Sequence, residues 1–174
     1  MSSNSTHEIR TPRITMWTLV FVIATVGTAC VAGVLFAFSS FVMPALGQVP
    51  AAEAIRAMQS INVFAQRAPF GLVILAAALA AIALSIRHLS AWQGTASVLV
   101  LVGTALYLVI GFGVSGAINI PLNNSLALAT PSAADAAAVW RAYTQPWELA
   151  NHVRTAAGLL ASAAFALSAL VKSA

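Results

Sequence analysis

Glu148 and His152 stand one helical turn apart, with Trp147, Asn151 and Arg154 in the same short stretch. At i, i+4 spacing a carboxylate can hold an imidazole in one tautomer. An imidazole with its ordinary pKa of about 6.5 is then a general base near neutrality. Arg154 beside it would stabilise a developing negative charge, which makes His152, Glu148 and Arg154 the candidate catalytic set. Asn119 and Asn123 flank Pro121, where a helix stops and leaves carbonyls that the amides would cap. Asn62 and Arg67 precede another apolar stretch. An aromatic wall, amide donors, an imidazole and a guanidinium together suit a planar molecule bearing oxygens. The candidate binding residues are Asn62, Asn119, Asn123, Trp147, Asn151 and Phe38, with Trp147 and Phe38 sandwiching the rings. Each also has a plainer role: asparagines cap helix ends, and arginines snorkel to headgroups. No metal is expected. The other histidines, His7 and His88, fall on the N-terminal tail and beyond the second apolar stretch, leaving too few ligands for a catalytic zinc. The single cysteine, Cys30, excludes an intramolecular disulfide and a multi-cysteine metal site.

The elements that must position these residues follow from composition. Hydrophobic residues make up 60% of 174 positions, charged residues 7%, and the mean hydropathy is +0.91. A soluble domain carries about 25% charged residues, so this chain cannot cover a globular surface with hydrated groups, and lipid is its solvent. The formal charge of +4 comes without a basic run, which argues against nucleic acid as a partner. Membrane lipids and a hydrophobic aromatic small molecule are the partners expected.

Four apolar stretches run from about Met16 to Leu46, Pro69 to Ile86, Ala96 to Ile120 and Val153 to Val171. Each can cross a hydrocarbon core of about 30 Å at 1.5 Å per residue, the second only just. Lipid offers no partner for free backbone groups, so each is helical. The first exceeds the apolar region of about 7–15 residues in a signal peptide and is expected to be retained. The expected organisation is a polar tail over 1–15 and one domain over 16–172. Arg87 to Thr95 is a short turn, whereas both other links hold helix-like stretches, Ala51 to Gln66 and Ala133 to Glu148. The fold class is thus all-α: a membrane four-helix bundle with two short amphipathic helices across one face. Ala29/Gly33, Gly111/Ser115 and Gly113/Ala117 are four-residue pairs of small residues that would let helices approach, and they leave self-association open. Met43-Pro44-Ala45-Leu46 and Ile120-Pro121-Leu122-Asn123 end the first and third helices alike, a faint internal repeat. Lys and Arg tie across the two sides, but Arg10 and Arg13 precede the first helix closely. Both termini are therefore expected in the cytoplasm, in a bacterial-type plasma membrane. Four helix ends, distant in sequence, bring their polar residues to one membrane face, and such groups at membrane depth mark a site.

Phe36-Ala37-Phe38-Ser39-Ser40-Phe41-Val42-Met43-Pro44-Ala45-Leu46 resembles the end of the first helix in anthrone oxygenase-like membrane proteins. So do Met58-Gln59-x-Ile61-Asn62, Asn119-Ile120-Pro121-Leu122-Asn123 and Trp147-x-x-x-Asn151-His152-x-Arg154 in their order. The resemblance implies a small four-helix membrane protein whose characterised relatives oxidise anthrones to anthraquinones with molecular oxygen and no bound cofactor. His152 would then remove the activated ring proton, Asn151 or Asn123 would donate to the developing oxyanion, and Arg154 would stabilise its charge. A non-catalytic module binding a lipid or quinone, or a small transporter or accessory subunit, is the alternative.

Overall fold

The computed structural model describes residues 14–67, 69–130, 132 and 134–171. Helix α1 (Met16–Leu46) starts at Thr15, whose hydroxyl accepts from the Thr18 amide while the Thr18 hydroxyl accepts from the Thr15 amide. That reciprocal cap satisfies two donors left free at a helix start. Helix α2 (Ala51–Ala65) follows Pro50 and carries Glu53 in its first turn, the favourable sign against the helix dipole. Helix α3 (Phe70–Ser90) is joined to α4 (Thr95–Leu128) by a short turn at Gly94, whose φ of +57° favours a residue without Cβ. Helix α5 (Ala136–Val171) is entered at Ser132, whose hydroxyl donates to Asp135 Oδ2 at 2.7 Å and whose carbonyl accepts from the Ala136 amide.

α1, α3, α4 and α5 are each long and apolar enough to cross a membrane. Around the bundle α1 packs on α3 and α5, and α4 packs on the same two helices. Leu19, Leu75, Leu79, Val109, Leu160 and Leu170 point outward and are more than half exposed. Such a surface suits lipid, not water. The architecture is the expected all-α membrane four-helix bundle, with one change on the polar face. The expected helix over Ala133 to Glu148 is not a separate piece lying across the bundle. It is the first part of α5, which runs straight through Pro146. At 36 residues α5 is about 54 Å long, well beyond a hydrocarbon core of about 30 Å. α2 packs against its first turns, where Val139, Trp140, Tyr143 and Trp147 meet Ile55 and Met58.

Two cores result. One fills the bundle with Phe21, Leu35, Leu84, Val100 and Phe165, threaded by small residues of α3 such as Ala77 and Ala81. The other lies under α2, where Met43, Ile55, Met58, Leu126, Tyr143 and Trp147 meet. Close helix approach rests on other small residues than the four-residue pairs predict. A Cβ on Gly27 would come within 2.9 Å of Ala77 Cβ, and one on Gly158 within 2.9 Å of Ala32 Cβ. Gly33 and Gly113 have nothing within 4 Å of such a Cβ. Spacing tells which residues share a stripe, but the inward face is chosen by the whole apolar pattern.

Candidate functional site

The site is prepared by two proline-containing helix segments with the same local distortion. The expected stop at Pro121 does not occur, because the widened turn before it lets α4 continue to Leu128. α1 widens to π-helical geometry over Phe38–Val42, just before Met43-Pro44, and α4 does so over Ser115–Asn119, just before Ile120-Pro121. In both, the next amide reaches back five residues, Met43 to Phe38 O and Ile120 to Ser115 O. A proline ring clashes with the carbonyl four residues earlier, and a wider turn relieves that contact. A third widened segment, Leu106–Phe112, precedes these in α4. The faint repeat in the sequence is thus a repeated backbone device.

The widened turns aim a stripe of α4. Tyr107, Gly111, Ser115, Asn119 and Asn123 are spaced by four, and all line one cavity. At 3.6 residues per turn such a stripe drifts by about 40° each step. A π turn rotates less per residue, so alternating it with α-helix keeps the stripe on one face.

The asparagine amides are oriented by groups around them. Asn123 Oδ1 accepts from the Tyr143 hydroxyl at 2.8 Å and from Trp147 Nε1 at 2.9 Å. Asn119 Nδ2 donates to the Trp147 carbonyl at 3.2 Å, which leaves its buried Oδ1 with no hydrogen-bond partner among the described residues. Asn62, at the end of α2, approaches the Tyr143 hydroxyl, yet no acceptor with hydrogen-bond geometry faces its buried Nδ2. α2 is itself tied down by Gln59, whose amide donates to the Leu126 and Ala129 carbonyls at 2.7 and 2.9 Å. Buried polar atoms are normally paired, so an orphaned carbonyl oxygen and an orphaned amide nitrogen at one cavity mark a place for a ligand.

That cavity has a volume of about 410 Å³, within the range of small-molecule sites. Its floor is Val31, Leu35 and Gly158, its aromatic walls are Phe70, Tyr107 and Phe112, and its polar end holds the three asparagines with Gln66, Asn124 and Arg154. Arg154 is half-buried and makes no hydrogen bond or ion pair among the described residues. A guanidinium facing an apolar cavity without a carboxylate is a natural seat for an anionic or carbonyl oxygen. Among the described residues no group of three His, Cys, Asp or Glu side chains is placed to hold a metal.

The structure brings Asn62, Asn119, Asn123 and Arg154 to this cavity and places the other predicted residues elsewhere. Trp147 and Phe38 do not bracket a ligand: their rings touch, with centroids 5.7 Å apart, inside the core under α2. Asn151 is fully buried and donates to Leu35 O at 2.7 Å and Ser39 Oγ at 2.9 Å, bracing α5 against the widened part of α1. His152 is exposed, and its Nδ1 pairs with Ser39 Oγ at 2.8 Å, not with Glu148. Glu148 has no hydrogen bond or ion pair among the described residues. The reason is helical: positions two apart point about 200° from one another, so turning Arg154 inward turns His152 out. At the far membrane face His88 is buried with Nδ1 3.0 Å from Ser97 Oγ, remote from the cavity. Sequence reasoning missed Tyr107, Gln66 and Asn124 as lining residues. The four-residue stripe from Tyr107 to Asn123 was the signal available for the first.

A family model described as anthrone oxygenase matches residues 60–164, more than half of the chain. The chain belongs to the anthrone oxygenase family. No curated protein matches it, and no solved structure does. The matched segment carries every polar side chain of the cavity, from Asn62 through Asn119 and Asn123 to Arg154, and also Asn151 and His152. Phe38 and Ser39 lie before it.

Proposed function

We propose that the chain is a membrane oxygenase that takes an anthrone-like or other phenolic aromatic molecule into the cavity and oxidises it with molecular oxygen. The observation that carries this reading is Arg154, facing an aromatic-walled cavity beside orphaned amide atoms and without a carboxylate partner among the described residues. In an anthrone the ring CH₂ loses a proton to give an enolate whose charge rests largely on oxygen. Arg154 and the Asn62 amide hold that oxygen, which favours the anion without a strong base nearby. The electron-rich carbon then passes electrons to O₂ and forms a bond to one oxygen atom. Loss of water leaves a carbonyl at that carbon, so anthrone and O₂ give anthraquinone and H₂O without an external reductant. Asn119 Oδ1 accepts from a hydroxyl on the ligand. The proton leaves to water, because His152 lies outside the cavity.

A second reading is supported by the same lining: it contains no carboxylate or imidazole, as suits a module that binds a quinone or lipid without turnover. The test is oxygen uptake and anthraquinone formation by purified protein in nanodiscs given an anthrone. Equimolar uptake and product support the oxygenase. Saturable binding of anthraquinone with no uptake on any phenolic substrate would leave the binding module standing. Arg10 and Arg13 before α1 favour cytoplasmic termini in a plasma membrane.

A further inference from the structure

The bundle does not close evenly around its cavity. α3 packs on α4 chiefly over Thr95–Ala105, at the end away from the polar face. Among the described residues, the last hydrogen bond between the two helices on the way to the cavity is from the Tyr107 hydroxyl to the Ile74 carbonyl at 3.3 Å. Beyond it the wall contributed by α1 and α5 stays buried, at Val31, Leu35 and Gly158, whereas α4 exposes Phe112, Ile120 and Asn124 along the rim. From Phe112 to Asn124 this rim extends about 18 Å along the helix, apolar toward the bundle middle and amide-bearing at the polar face. Gly111 borders the cavity immediately before this stretch. A Cβ there would meet only the Leu106 carbonyl, at 3.8 Å, and one on neighbouring Gly113 nothing within 4 Å.

We propose that the ligand enters sideways from the hydrocarbon of the bilayer, through the slit between α3 and α4 at Gly111 and Phe112, and not from the aqueous face. This rests on the reading that the cavity binds a small molecule, and it adds where that molecule comes from. A flat apolar ligand dissolves in lipid at far higher concentration than in water. The slit lets it slide in with its rings against Phe112 and Phe70, its oxygens leading toward Arg154 and the asparagines. Four-residue spacing puts a glycine at the mouth, and the missing side chain is the opening.

The experiment uses the full chain in nanodiscs, in a Trp17→Phe, Trp92→Phe background, mixed rapidly with vesicles containing anthraquinone. Emission then comes from Trp140 and Trp147, and its quenching reports arrival because the Trp147 indole is bonded to the cavity residue Asn123. A Cβ at Gly111 meets nothing closer than 3.8 Å, so Gly111→Leu is chosen to narrow the slit without forcing the helices apart. It should slow both arrival and release by about tenfold, each reflecting the same raised barrier, while the affinity changes much less. Gly113→Leu, exposed and outside the cavity lining, should leave both rates alone. Unchanged rates in Gly111→Leu, or equal slowing by Gly113→Leu, would overturn the lateral route. A wild-type protein with no saturable quenching would remove the ligand-binding reading itself, a distinct failure.

Discussion

Replacing Arg154 by methionine separates a functional charge from a structural one. Methionine keeps most of the apolar stem that an arginine lays along a helix surface and removes only the guanidinium. Arg154 has no hydrogen bond or ion pair among the described residues to lose, while its half-burial already carries a desolvation cost. The variant should therefore unfold at the same temperature as wild type or slightly above it. Function should move the other way. A donor aimed at a developing oxyanion is worth about 2.7–4 kcal/mol, or about 10²–10³-fold in turnover. Binding of a neutral quinone should weaken less, by about 1.5–3 kcal/mol, the scale of a single charge-assisted hydrogen bond. The assay pairs oxygen uptake on an anthrone with thermal unfolding in the same detergent. Asn151→Leu is the contrasting control. It removes hydrogen bonds of 2.7 and 2.9 Å from α5 to α1, and should cost about 1–3 kcal/mol of stability. If Arg154→Met melts several degrees lower while its turnover is intact, the guanidinium is a structural group and the proposed site fails.

His152→Gln should retain oxygen uptake within about twofold, since the ring is exposed and outside the cavity; a collapse of turnover with folding intact would return the base to His152. Gly158→Val should destabilise the bundle by about 1–3 kcal/mol in a thermal or denaturant assay, because even a Cβ meets Ala32 at 2.9 Å, whereas Gly33→Val should be neutral with nothing within 4 Å. In a Cys30→Ser background, cysteines at Gly47 and Ser132 should react with an impermeant reagent from the same side of the membrane and one at Trp92 from the other. Opposite reactivity of the first two would dismantle the four-span topology and with it the shared polar face.

Composition and hydropathy determined the class of this protein and its four spans, since lipid leaves a chain so poor in charge no other way to satisfy its backbone. Topology followed from the spans, and topology alone brought Asn62, Asn119, Asn123 and Arg154 to one membrane face. The family was also legible, in short motifs around those same residues. The inward face of α5 was not. Arg154 and His152 lie two residues apart and cannot both face the cavity, and that choice is made by Gly158 seating against Ala32 on α1 and by Asn151 locking onto Leu35 and Ser39. Likewise the i, i+4 spacing of Glu148 and His152 permits a pair, but Ser39 on another helix supplies the partner the imidazole takes. Which amide atoms are free is decided by Tyr143 and Trp147, residues that reach Asn119 and Asn123 only because α5 continues past Pro146 as one helix. Sequence spacing reports neighbours along one element, whereas the functional direction of a polar group depends on the partner that another element places beside it.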